Sequence, residues 1–300
     1  MDKTLIRPLG RTGFHVFPVV YGGIVSMLEE QYDSDRSVAW AIDRGINYFD
    51  VAPQYADAQE KLGKSLKPYR DKVFLACKTL QRSRAEAEKD FAESLRLLRT
   101  DYFDVYQMHA LATQEDIDMA FAPDGVMAMM IDMQKKGHVR KLGITCHSEA
   151  MALQALERYP FDTVLFPLNW QMDMRNGFGS ALCTEAKKRG FGLLAMKSLI
   201  HRCWLSEEEK KQTRFNKSWC KPIEDKPLGL AAMKYAFHMG ADVVVPPGNF
   251  ESFSFVVEHI KEILDHPLDK HDRALLEEEF NTVRDEPFFS ENGDGISVKK

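Results

Sequence analysis

Short β-branched or apolar runs, separated by segments of helical length, recur eight times along this chain. No other feature constrains the fold as much. The runs are Val19–Gly23, Tyr48–Ala52, Val73–Thr79, Phe103–His109, Lys141–Cys146, Thr163–Asn169, Gly192–Lys197 and Asp242–Pro247. Each has the length and the unbroken apolar character of a strand buried on both faces. Between them apolar residues recur at helical spacing. Ala87, Phe91, Leu95 and Leu98 line one face of the third helix, whose start carries Ser83 and Glu86 at capping-box spacing. Val126, Met129, Met130 and Met133 do the same for the fourth, expected to stop at Gly137. The first helix is expected from about Asp35 to Arg44, before Gly45. The seventh is expected from about Leu228 to Met239, before Gly240, because glycine just past a helix end accepts the left-handed cap.

Eight strand–helix units in 300 residues predict an α/β fold of the (β/α)8, or TIM-barrel, type, for which ~250 residues is typical. The competitor is a doubly wound sheet. It would usually show Gly-x-Gly-x-x-Gly after its first strand, and the nearest approach here is the pair Gly22-Gly23. Thr4–Pro8 and Phe14–Pro18, around the turn Leu9-Gly10-Arg11-Thr12-Gly13, predict an N-terminal β-hairpin placed to plug the barrel floor. No linker, tandem repeat or low-complexity stretch interrupts the chain, so residues 1–300 read as a single domain. Ser198–Lys226, after strand seven, is too long for an ordinary connection. It holds Trp204 and Trp219, expected as packing anchors, and reads as a lid rather than a disordered segment, since disordered segments are aromatic-poor. The tail from Glu286, with Phe288 and Phe289, is expected to fray at its polar end.

Composition narrows the partners. Lys plus Arg total 40 against 45 Asp plus Glu, a net charge of −5, which gives no support for a nucleic-acid surface. No apolar stretch approaches the ~18 residues of a membrane span, and Met1-Asp2-Lys3-Thr4 lacks a signal-peptide core, so a cytoplasmic protein is expected. Cys77, Cys146, Cys183, Cys203 and Cys220 are odd in number and contain no Cys-x-x-Cys pair. That argues against a zinc ribbon, an iron–sulfur cluster or a disulfide framework. The histidines share no ligand spacing with Cys, Asp or Glu, so no metal is expected, and no obligate protein partner is evident.

Barrel enzymes carry their chemistry at the C-terminal ends of the strands. Strand two ends in Asp50 and leads to Tyr55; strand three ends with Lys78, and strand four with His109. A carboxylate, a phenol, an ammonium and an imidazole therefore meet on one rim. A Lys facing inward from an apolar strand is costly unless paired, and Asp50 on the neighbouring strand is the partner. Lys78 beside Tyr55 is expected to stabilise the phenolate and lower the tyrosine pKa. A tyrosine so tuned can protonate an oxygen that gains charge as hydride reaches carbon, with His109 orienting that oxygen.

Asp50-x-x-x-x-Tyr55, a strand-three Lys and a strand-four His resemble the tetrad of the aldo-keto reductases. The likeness extends through Gly45–Asp50, Gly137–Ile144 and Pro247-Gly248. It implies NAD(P)H-dependent reduction of a small aldehyde or ketone, with Asp50, Tyr55, Lys78 and His109 as the catalytic group. The implied cofactor is NADPH, with NADH open. The implied contacts are Gly22 and Gly23 at the end of strand one, Thr145, Cys146 and Asn169 near the carboxamide, Met196 against the nicotinamide face, Lys197, Ser198 and Leu199 along the pyrophosphate, and Gly248 and Asn249 toward the adenosine. Leu165 and Cys146 depart from the family's usual residues, and Pro247–Ser252 lacks the cation that usually meets a 2′-phosphate. Lys210, Lys211, Arg214 and Lys217 in the lid are expected to supply it. A cofactor-sensing subunit with little turnover is the alternative reading; the complete tetrad favours catalysis.

Overall fold

A computed structural model describes residues 5–285; the tail with Phe288 and Phe289, and Thr4 of the expected hairpin, lie outside the described residues. The eight apolar runs form the eight barrel strands: β1 Tyr21–Gly22, β2 Tyr48–Asp50, β3 Phe74–Thr79, β4 Phe103–Leu111, β5 Val139–Cys146, β6 Thr163–Pro167, β7 Gly192–Met196 and β8 Val243–Val245. Each pairs in parallel with the next in sequence. A parallel bridge between Val19 and Val244 closes the ring. There Val20 N–H donates to Val244 O at 2.9 Å, and Val244 N–H donates to Pro18 O at 2.9 Å.

The side-chain period of two divides the core into an inner and an outer layer. Val20, Tyr48, Ala76, Val105, Leu165, Leu194 and Val243 pack inside the barrel, joined from below by Leu9, Phe14 and Val16. Those three come from the N-terminal hairpin, in which Arg7–Pro8 pairs antiparallel with His15–Val16, so the hairpin is the floor of the barrel. Gly10 has φ +45°, and a Cβ there would lie 2.3 Å from Gly192 N, so the turn fits the base of β7 only as glycine. Outward residues such as Phe49, Cys77, Tyr106 and Ala195 pack under the helices in the larger cluster.

Helix boundaries follow the capping chemistry. Ser83 accepts the Glu86 amide at the start of helix Arg84–Leu98, and Asp225 accepts the Leu228 amide at the start of helix Lys226–Met239. The first helix begins earlier than expected, spanning Gln31–Asp43. Segment 198–226 has its own folded structure. Ile200–Arg202 pairs antiparallel with Lys221–Pro222, and a short helix, Glu207–Lys211, lies between them. Arg202 and Lys221 both reach Glu209, whose carboxyl is held down to about 2, first by its hydrogen bond from Arg202. Trp204 is buried and its indole N–H donates to Ser218 O at 3.1 Å. Trp219 departs from the expectation of a packing anchor: it is 48% exposed. No helix among the described residues is long and apolar enough to cross a membrane.

Candidate active site

The strand periodicity that builds the core also delivers polar groups to the C-terminal rim. Along β2, β3 and β4 the inward positions after Tyr48, Ala76 and Val105 are Asp50, Lys78, Gln107 and His109. All four are buried, Lys78 completely. Lys78 Nζ donates to Asp50 Oδ2, and Gln107 Nε2 donates to Asp50 Oδ1 at 2.8 Å. Burial alone pushes the Lys78 ammonium down, yet Asp50 outweighs it and the pKa is raised. Lys78 therefore stays charged. Its Nζ lies 5.6 Å from the centre of the Tyr55 ring, and that ring meets the His109 imidazole edge-on at 6.2 Å.

Tyr55 does not follow the expectation of a lowered pKa. Burial raises its phenol above the ordinary tyrosine value, and the Lys78 charge and hydrogen bond offset this only in part. His109 is pushed down to about 2, first by burial and then by Lys78, so its ring is neutral. Its Nδ1 lies 3.1 Å from Gln54 Oε1, and its backbone carbonyl accepts from Arg82 at 2.8 Å.

Three residues in the left-handed region stand directly after rim positions: Ala56 after Tyr55, Ala110 after His109 and Lys197 after Met196. Backbone strain of this kind, at ~1–3 kcal/mol each, persists where the surroundings hold it. At Ala110 the restraint is visible, because its N–H donates to Thr145 Oγ1 at 2.7 Å.

These groups open into a cleft of about 860 Å³, part of it open to solvent. Of the implied contact residues, Gly22, Thr145, Met196, Lys197 and Gly248 line it beside the tetrad. Gly23, Cys146, Asn169, Ser198, Leu199 and Asn249 are not among its lining residues. Cys146 follows inward Thr145 on a strand and so points into the outer layer, where burial pushes its thiol far up. Asn169 is committed elsewhere. Its Nδ2 donates to Lys197 O and Ile200 O, both at 3.0 Å, and its Oδ1 accepts from Gln171 N–H at 2.8 Å. It fixes the exit of β7. A Cβ at Gly248 would lie 2.1 Å from Ile24 Cγ2, so the loops after β1 and β8 touch there.

The cleft also holds residues that sequence reasoning missed or set aside. Gln107 was findable, since it stands two residues before His109 on the same face of β4. His147 lines the cleft and is held down to about 3, first by burial. Trp219 and Cys220 reach the cleft from the 198–226 excursion, with Lys197 Nζ 6.0 Å from the Trp219 ring centre. Lys217 lines this cleft and also a second cavity of about 1590 Å³, whose wall includes Arg214, Asn249 and Trp40. Lys217 is ion-paired with Glu29.

A closed parallel barrel thus carries a buried Lys–Asp pair, a phenol and an imidazole together at its C-terminal mouth. Residues 28–272 match the model of the aldo/keto reductase family, and the chain belongs to that family, whose members are generally NAD(P)H-dependent oxidoreductases acting on small carbonyl compounds. It is 29% identical over 163 residues to the aldo-keto reductase YhdN of Bacillus subtilis, covering 48% of this chain and 47% of that protein. It is 30% identical over 182 residues to L-galactose dehydrogenase of Arabidopsis thaliana, covering 55% of each. The chain thus spans about half the length of the curated relatives it matches. The solved structure of aldo-keto reductase AKR11C1 from Bacillus halodurans, in its holo form, superposes with a TM-score of 0.70 at 20% identity, covering 91% of this chain and 95% of that one.

Proposed function

We propose that this protein reduces a small aldehyde or ketone to an alcohol with NADPH, with Tyr55 as the general acid. The observation that carries the reading is the buried Lys78–Asp50 pair set against Tyr55 and His109 at one cleft wall. Tyr55 O–H donates its proton to the carbonyl oxygen as negative charge develops there. The Lys78 ammonium, held by Asp50, then stabilises the phenolate left behind. Neutral His109 and Tyr55 together fix the oxygen's direction. The dinucleotide, when bound, supplies hydride from C4 of its nicotinamide.

The residues fit such a cofactor. Ser198 Oγ and Asn249 Nδ2 are buried donors with no hydrogen-bond partner among the described residues, each next in sequence to a cleft-lining residue, and phosphate or ribose oxygens would satisfy them. Thr145 and Leu165 would meet the carboxamide end, and Met196 would cover the ring by soft dispersion contact. Lys197 and Ser198 would hold the pyrophosphate. Arg214 and Lys217, around the second cavity, would meet the 2′-phosphate, and segment 198–226 would serve as the lid. The test is Tyr55→Phe. Removing a general acid commonly costs ~10²–10⁴-fold in turnover. Reduction should fall by that factor while NADPH affinity, read by fluorescence titration, stays within about twofold. Unchanged turnover would overturn the assignment; equal loss of both would mean that the fold has failed.

A further inference from the structure

We propose that Cys203 and Cys220 form a reversible disulfide that clamps the base of the 198–226 excursion and so sets one wall of the cleft. Arg202 lies directly across the antiparallel pair from Lys221. Cys203 follows Arg202 and Cys220 precedes Lys221, so the two stand one residue beyond the last paired position, where the chain enters and leaves the excursion. Facing residues in an antiparallel pair have Cα atoms ~4.5–5.5 Å apart, inside the ~4.4–6.8 Å that a disulfide spans. The side chains agree with the backbone register. Both thiols belong to one small buried cluster with Met172 and Ile200, and Cys203 acts electrostatically on Cys220. No disulfide joins them in this structure.

Access is one-sided. Both cysteines are buried, but of the two it is Cys220 that lines the cleft, alongside Trp219 and Lys197. An oxidant entering the cleft therefore meets Cys220 first; burial raises its pKa and the nearby Lys197 charge offsets this only in part, so the reaction runs through a small thiolate fraction. With hydrogen peroxide the Cys220 thiolate attacks one peroxide oxygen. The O–O bond breaks, the departing hydroxide takes a proton as water, and a sulfenic acid remains on Cys220. Cys203, losing its proton, attacks that sulfur; the S–S bond forms and hydroxide leaves as a second water. Two thiols and one peroxide give one disulfide and two waters, with two electrons passing from sulfur to oxygen. A cellular dithiol reverses the reaction. The bond closes a loop containing helix Glu207–Lys211, with Trp204 and Trp219 adjoining its two ends, so the wall that carries Trp219 is stiffened.

The experiment uses the full chain at low micromolar concentration with a few equivalents of hydrogen peroxide, followed by alkylation and trypsin. The expected product joins peptide Cys203–Lys210 to the peptide that begins at Ser218 and contains Cys220. The titratable thiols in denaturant should fall from five to about three and return with dithiothreitol, while a non-reducing gel shows only monomer. Cys203→Ser and Cys220→Ser, each with its unfolding curve measured alongside, should keep their remaining four thiols at the same dose. Sulfinic or sulfonic acid without a cross-link, linkage to Cys77, Cys146 or Cys183, or retention of all five thiols at a dose that oxidises free glutathione would overturn the proposal.

Discussion

Thr145 Oγ1 accepts the backbone N–H of Ala110 at 2.7 Å, so a hydroxyl on β5 pins the left-handed residue that follows His109 on β4. The two strands are neighbours, and this bond fixes the direction in which the imidazole leaves its strand. Thr145→Val keeps the shape and strands a half-buried amide, at a cost of about 1 kcal/mol. Denaturant unfolding should show that loss, and KM for the carbonyl substrate should rise. Thr145→Ser should restore both.

Lys78 and Asp50 are coupled more tightly than either is to solvent. Lys78→Met leaves a buried carboxylate with the Gln107 amide but no countercharge, and Asp50→Asn leaves a buried ammonium; breaking such a pair costs ~3–5 kcal/mol. The double variant removes both charges, so its loss should be well below the sum of the single losses, a coupling of at least ~1 kcal/mol. Chemical unfolding of the four proteins measures it. Simple additivity would mean that the pair is solvated in a way its complete burial forbids.

The imidazoles fix the pH response. His109 at about 2 and His147 at about 3 both lie below the ordinary histidine value because burial favours their neutral forms. Stability tied to these groups is complete above ~6.5, and is lost as pH falls from there toward 2–3, because the unfolded chain takes up protons first. For His109 the slope is up to ~1.4 kcal/mol per pH unit. Urea midpoints measured between pH 4 and 7 should rise with pH, and His109→Gln should flatten that rise. Tyr55 is shifted upward, so the acid stays protonated and reduction at saturating substrate should show no alkaline loss before about pH 10.

How much of this was legible in the sequence follows from which signals are local. The eight strands were, because strands buried on both faces read as apolar runs. Asp50, Lys78 and His109 stood out as polar residues ending such runs. The start of the first helix was hidden, since Glu30 caps Gln31–Asp43 without a side-chain bond and leaves no capping signature. Cys146 and Asn169 were assigned to the cofactor by position in a motif, yet adjacent strand residues face opposite ways, and Thr145 already takes the inward place. Asn169 has three backbone partners up to 31 residues away, which no local pattern announces. Nor could the sequence show that Trp204 turns in and Trp219 out, because both depend on the pairing of Ile200–Arg202 with Lys221–Pro222.

The excursion should respond to cofactor. It is tied to the barrel through the Lys217–Glu29 pair and the Asn169 bonds, and its short helix Glu207–Lys211 buries no residue. Limited trypsinolysis should cut at Lys210, Lys211 or Arg214 in the free protein and slow by about tenfold with saturating NADPH, as expected when binding energy orders a loop. Equal rates in both conditions would remove the lid from the mechanism.

The bridge between Val19 and Val244 carries a consequence for the order of assembly. Asp50, Tyr55, Lys78 and His109 all leave the ribosome within the first 109 residues, whereas the opposite wall of the cleft arrives with Met196, Val245 and Gly248. A growing chain thus carries the Asp50–Lys78 wall of the cleft early and lacks the facing wall until the eighth strand returns to the first. Ring closure and completion of the cleft become one event, and a chain stopped short of residue 245 holds half a cleft with nothing facing it.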